Sequence, residues 1–79
     1  MKIRVQYFAL LREQARCSQE DVQTQAATPA ALFAELGRRH TFSLSPSQLK
    51  VAINGDFASW DQALADNDMV VFIPPVAGG

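Results

Sequence analysis

Seventy-nine residues with 48% hydrophobic content make one small domain with enough apolar side chains for a core, which excludes a disordered chain. Seven basic and eight acidic residues leave a formal net charge of −1 and no basic stripe, which argues against nucleic-acid binding. No apolar run approaches a membrane span, and Met1-Lys2-Ile3-Arg4 lacks the apolar core of a signal peptide, so the expected setting is cytoplasmic.

Lys2 to Phe8 alternates, with Ile3, Val5 and Tyr7 on one face and Lys2, Arg4 and Gln6 on the other, as a half-buried strand does. Parity puts Phe8 on the polar face, which marks it as surface scatter or part of a binding patch. Ala9 to Arg16 contains helix formers and no breaker, and predicts a short helix. Glu20 to Gln25 has weak β character around Val22 and Thr24 and reads as a short edge strand. Thr28-Pro29 is a helix start, since Thr caps and Pro suits the first helical position. The helix over Ala30–His40 carries Leu32, Phe33 and Leu36 on one stripe and Arg38, Arg39 and His40 in its last turn, where the macrodipole favours cations.

Thr41 to Gln48 is a loop with Ser45-Pro46-Ser47 as its turn signal. Leu49 to Asn54 alternates again, with Leu49, Val51 and Ile53 facing in and Lys50 and Ala52 facing out. Asn54-Gly55 is a strong turn dipeptide, because both residues tolerate positive φ. Phe57 follows that turn, where a large apolar side chain needs either a core slot or a partner. Trp60 and Leu64 are expected to plug one end of the core, and Asn67-Asp68 makes the last turn. Met69 to Ile73 is apolar on both faces, as in a strand buried on both sides or covered by a partner. The order of elements predicts an α+β domain, a mixed sheet folded over one main helix. Its core is expected from Ile3, Val5, Tyr7, Leu32, Phe33, Leu36, Leu49, Val51, Ile53, Val70 and Phe72.

Cys17 and His40 are each the single residue of their type. One thiol makes no internal disulfide and holds no zinc finger or iron–sulfur cluster, so neither residue points to a metal. The end of the sequence is more telling. Pro74 has no N–H for a sheet ladder, so the last strand stops there, and Pro75 keeps the chain extended. Val76-Ala77-Gly78-Gly79 then reaches roughly 13 Å further, at about 3.3 Å per residue. Glycines without a Cβ suit a narrow channel, and the Gly79 carboxylate is then the functional group at the tip. The expected division is a domain over residues 1–75 and a flexible tail over residues 76–79.

Phe72-Ile73-Pro74-Pro75-Val76-Ala77-Gly78-Gly79 resembles the ending of the molybdopterin synthase small-subunit family of sulfur carriers. Tyr7-Phe8-Ala9-Leu10-Leu11-Arg12-Glu13 is similar to that family's first strand and helix, with Val51-Ala52-Ile53-Asn54 and Leu64-Ala65-Asp66-Asn67-Asp68 in order between. The resemblance implies a β-grasp, or ubiquitin-like, fold and a sulfur carrier with no catalysis of its own. By it, an ATP-dependent activating enzyme adenylates Gly79, with Gly78 the slender residue beside it. A sulfur donor converts the adenylate to a thiocarboxylate. The tail, Pro74, Pro75, Val76 and Ala77 included, then inserts into the synthase large subunit, which takes the sulfur to cyclic pyranopterin monophosphate. It further implies no bound cofactor, a heterotetramer of two small and two large subunits, and a partner-facing apolar patch of Phe8, Phe57 and Ile73. For Phe57 a core position stays open. Carriers for thiamine or tRNA thiolation and ubiquitin-like protein modifiers share the Gly-Gly ending. Two positions depart from the family pattern: Asn67 stands where it has glycine before the aspartate of the last turn, and Arg16-Cys17 where it often has glycine ending the first helix.

Overall fold

The computed structural model describes residues 1–75. In chain order these form strand β1 (Lys2–Tyr7), helix α1 (Ala9–Ala15), strand β2 (Gln19–Gln23), helix α2 (Pro29–His40), a 3-10 turn at Pro46–Gln48, and strands β3 (Lys50–Ile53), β4 (Asp56–Ala58) and β5 (Met69–Ile73). The strands make one sheet in the order β2-β1-β5-β3-β4. β1 and β5 pair in parallel, and every other neighbouring pair is antiparallel. A mixed sheet with parallel central strands and one long helix against its inner face is the β-grasp arrangement. No helix among the described residues is long and apolar enough to cross a membrane.

α2 begins where its chemistry starts. Thr28 is extended at φ −139°, and its side-chain oxygen accepts from the Ala31 N–H at 3.2 Å. Pro29 fills the first helical position, as the Thr28-Pro29 pair predicts. Leu32, Phe33 and Leu36 face the sheet, and the helix ends at Thr41, whose φ of 58° lets its N–H reach the Gly37 carbonyl at 2.9 Å. α1 is shorter and closes at Arg16 in the left-handed region, φ 61°. The helix ends at Ala15, one residue before the expected end, because Arg16 takes the left-handed capping conformation without a glycine.

All eleven side chains expected in the core are buried. Leu11 and Ala15 of α1 and Val22 of β2 join them. They escaped the sequence reading because a seven-residue helix and a five-residue strand show too little periodicity to name an inward face. Phe33 centres an aromatic cluster. Its ring lies 5.0 Å from Phe72, 5.3 Å from Phe42 and 6.0 Å from Trp60, and Trp60 stacks on Phe72 at 5.8 Å. Trp60 and Leu64 close one end of the core, as expected.

β4 is the strand that the sequence pattern does not announce. Three residues are too few to show alternation; the turn before them creates the strand. Asn54 (φ 52°) and Gly55 (φ 91°) form a two-residue loop between Ile53 and Asp56, with both φ values positive as a type I′ hairpin requires. Asn54 also ties this turn to β5. Its Nδ2 donates to Asp68 Oδ1 at 2.9 Å, and its Oδ1 accepts from the Met69 N–H at 2.9 Å. The turn before β5 is tied in turn to β1: Asn67, at φ 70°, donates its N–H to the Lys2 carbonyl at 2.7 Å, and Asp66 Oδ1 accepts from the Lys2 N–H at 2.7 Å. Asn67 therefore does the conformational work of the glycine it stands in for.

Asn54→Ala is expected to lower the free energy of unfolding by about 2 kcal/mol. Roughly half comes from the left-handed backbone and half from the two lost side-chain hydrogen bonds. A urea midpoint shift at unchanged m-value measures it, and a loss below about 0.5 kcal/mol would show that this side chain does not hold the turn.

Candidate functional site

The inner-facing side chains of β5, Val70 and Phe72, have no exposure at all. Alternation then sends Met69, Val71 and Ile73 to the outer face, where each is half-buried. The register builds one apolar row across three strands: Val71 on β5 lies opposite Ala52 on β3, and Ala52 lies opposite Phe57 on β4. In the next row Ile73 lies opposite Lys50. Phe8 follows Tyr7 in extended backbone (φ −129°, ψ 154°), so it continues the alternation onto this face. Tyr7 pairs with Phe72, which places Phe8 at the register position beside Ile73.

Phe57 is 77% exposed and Phe8 42% exposed. A core role for Phe57 is thereby excluded. Ala52 points outward as its parity requires, yet it is buried, because Val71 and Phe57 flank it. Phe8, Phe57 and Ile73 thus share one face. Val71, Ala52 and Met69 complete the patch, and sequence reasoning did not name them as site residues. The signal was present: the β5 run is apolar on both parities. Pro74 is half-buried and Pro75 exposed at the end of β5. The remaining tail positions, Val76, Ala77, Gly78 and Gly79, and with them the flexible tail over residues 76–79, lie outside the described residues.

The other half of the outer face is polar. Arg4 Nε meets Asp21 Oδ1 at 3.0 Å across β1 and β2, with Gln6, Gln19 and Gln23 around them. The hydrogen bond from the Arg4 guanidinium holds the Asp21 carboxyl below its ordinary value. Both groups are open to water, so the pair adds little to stability. Where β4 stops, a groove of about 360 Å³ opens between Leu49, Lys50, Val51, Phe57, Ala58 and Trp60.

Titratable groups gather on the opposite side of the sheet. Glu20 Oε2 accepts from the Tyr7 hydroxyl at 2.5 Å and lies 2.7 Å from His40 Nε2, and Arg39 Nη1 stands 3.8 Å from Glu20 Oε1. Burial, and then the bond to Glu20, push the Tyr7 phenol up. Burial, and then the Glu20 charge, raise the Cys17 thiol, the reverse of what an activated nucleophile needs. This network joins β1, β2 and the end of α2. Among the described residues no group of three or more His, Cys, Asp or Glu side chains is placed to hold a metal ion. The apolar half of the outer face is an exposed surface suited to docking.

Phe57→Ser is expected to change the unfolding free energy by no more than about 0.5 kcal/mol, whereas Phe72→Ala costs about 3–5 kcal/mol. Urea unfolding of both variants checks the pair, and a large loss at Phe57 would contradict its solvent-facing placement.

Comparison with known proteins places this geometry. The model of the ThiS family matches residues 5–79. The chain is 35% identical over 80 residues to the molybdopterin synthase sulfur carrier subunit of Escherichia coli (strain K12), covering 98% of this chain and 99% of that one. Among solved structures it superposes on a putative molybdopterin converting factor, subunit 1, from Pyrococcus furiosus with a TM-score of 0.81 and 31% identity, covering 96% of this chain and 99% of that one. The same TM-score, at 26% identity and full coverage of both chains, relates it to SAMP1 from Haloferax volcanii. On its sequence and its β-grasp fold together, the chain belongs to the ThiS family.

Proposed function

We propose that this chain is a sulfur carrier in molybdenum cofactor biosynthesis, acting through its Gly79 carboxylate. The observation that carries the reading is the near-full-length identity to the Escherichia coli sulfur carrier subunit, in a chain whose sequence ends Pro74-Pro75-Val76-Ala77-Gly78-Gly79. An ATP-dependent activating enzyme supplies the energy. The Gly79 carboxylate attacks the α-phosphorus of ATP, pyrophosphate leaves, and an acyl-adenylate forms. Sulfide released by the sulfur donor attacks the acyl carbon, AMP leaves, and loss of the sulfur-bound proton gives the thiocarboxylate. Thiocarboxylate sulfur is a strong nucleophile, so the reactive atom travels at the tip and the carrier needs no acid–base pair of its own.

The large subunit of molybdopterin synthase is the destination. There the loaded tail, Pro74 to Gly79, delivers sulfur to cyclic pyranopterin monophosphate. A thin Gly78-Gly79 end lets the carbonyl come within near-attack distance of a buried substrate. The patch of Phe8, Phe57 and Ile73 is the docking surface for partners, because an exposed apolar face gains most by being covered. The chain itself binds no cofactor and works in the cytoplasm.

The likeness to the archaeal SAMP1 supports a second reading, a ubiquitin-like protein modifier. It would share the adenylation and end in an amide between Gly79 and a lysine amine of a target, with AMP as leaving group.

Intact mass after incubation with ATP, a sulfur source and the cognate activating enzyme tests the reading. The expected result is a gain equal to sulfur replacing one oxygen, absent from a chain lacking Gly79, whose melting temperature is expected to stay unchanged because the core formed by the described residues ends before Pro74. No gain despite ATP turnover, with tagged conjugates in cell lysate instead, would favour the modifier. Phe8→Asp is expected to weaken binding to the large subunit at least roughly 10-fold while shifting stability by no more than about 0.5 kcal/mol. Unchanged affinity in a titration would remove Phe8 from the docking surface.

A further inference from the structure

Lys50 interrupts the apolar half of the outer face. Its cross-strand neighbour on β5 is Ile73. On its other side β4 stops at Ala58, opposite Val51, so no strand covers the sheet edge next to Lys50. Lys50 lines the groove with Leu49, Phe57 and Trp60. Arg4, on the polar half, is placed differently: it is paired with Asp21 at 3.0 Å. The ion pairs among the described residues are Arg4–Asp21, Arg39–Glu20 and His40–Glu20, and Lys50 has none.

Covering this face with an apolar surface would strip water from an ammonium that has no ion partner among the described residues, an outcome that burial of a charge penalises heavily. Phe57 and Ile73 nonetheless make the face one that gains by being covered. Both demands are met if the covering surface brings a carboxylate to the groove. We propose that Lys50 is a docking cation: it receives a carboxylate from the protein that covers Phe57 and Ile73, and it sets the register of that partner beside the exit of the chain at Pro74. The proposal rests on the sulfur-carrier reading only in taking the synthase large subunit as that partner. A carboxylate at Lys50 fixes position and charge preference, and apolar contact supplies the affinity.

The test titrates the full-length chain into its cognate large subunit at low and at high salt. Lys50→Met is expected to bind roughly 10-fold more weakly and to lose much of the salt dependence, and Lys50→Glu to bind roughly 100-fold more weakly or worse. Both should melt with the wild type, since Lys50 is exposed. Zero-length carbodiimide coupling of the wild-type complex is expected to join Lys50 to an Asp or Glu side chain of the subunit, mapped by peptide mass. Lys50→Met binding as tightly as the wild type or tighter, with the same salt dependence, would overturn the proposal, because the lysine stem would then be folding its charge aside into water. A wild-type chain that fails to bind the subunit at any salt would overturn the functional reading and the proposal with it. A wild type that binds while Lys50→Glu is unchanged would overturn the proposal alone.

Discussion

The packing of Phe72 is the constraint on which the functional surface depends. Its ring is fully buried between Phe33 of α2 and Trp60, and its backbone is in register with Tyr7 on one side and Val51 on the other. A strand has a period of two, so a slip of one residue would exchange its faces. Such a slip would send Phe72 to water and Ile73 into the core. Trp60 and Phe33 make that exchange costly, because each loses an aromatic contact and a cavity opens where Phe72 was. With Phe72 locked, Val71 and Ile73 must face outward, and the chain must leave the sheet at Pro74 beside them.

The sheet therefore has two unlike faces. The inner one is a continuous core shared by all five strands and both helices. The outer one is divided along its width. β1 and β2 carry Arg4, Gln6, Asp21 and their neighbours, which water solvates well. β3, β4 and β5 carry Ala52, Phe57, Val71 and Ile73, which it does not. The division puts the apolar half next to the strand end from which the tail departs. The Glu20 network with Tyr7 and His40 is on the other side of the sheet and fastens β2 and α2 to β1.

Two devices keep this arrangement in place with little material. Asn54, a turn residue, reaches across to β5 through Asp68 and Met69, and the turn at Asn67 holds β1 through both polar groups of Lys2. Both asparagines accept positive φ, and the Asn54 side chain bonds across to the turn before β5. The turns thus help to hold the register that the packing of Phe72 selects.

Much of this was legible in the residues. The alternation of Ile3, Val5 and Tyr7, the Thr28-Pro29 start, the Asn54-Gly55 turn and the Pro74-Pro75 stop are local signals, and each element lies where they put it. Phe8 stood out by parity alone. Other features were not legible, for a physical reason. β4 has no pattern of its own, Leu11 and Val22 lie in elements too short to show a face, and Phe57 fitted core and surface equally well. The choice for Phe57 is made by β3, which pairs with β4 so that Phe57 meets Ala52 on the outer side. Local propensity, capping and the order of prolines and glycines were thus determined by the sequence by itself, because they depend on neighbours along the chain. The joining of Phe8, Ile73, Lys50 and Phe57 into one face was decided only by tertiary structure, because it depends on pairing between strands distant in sequence, which no local pattern encodes.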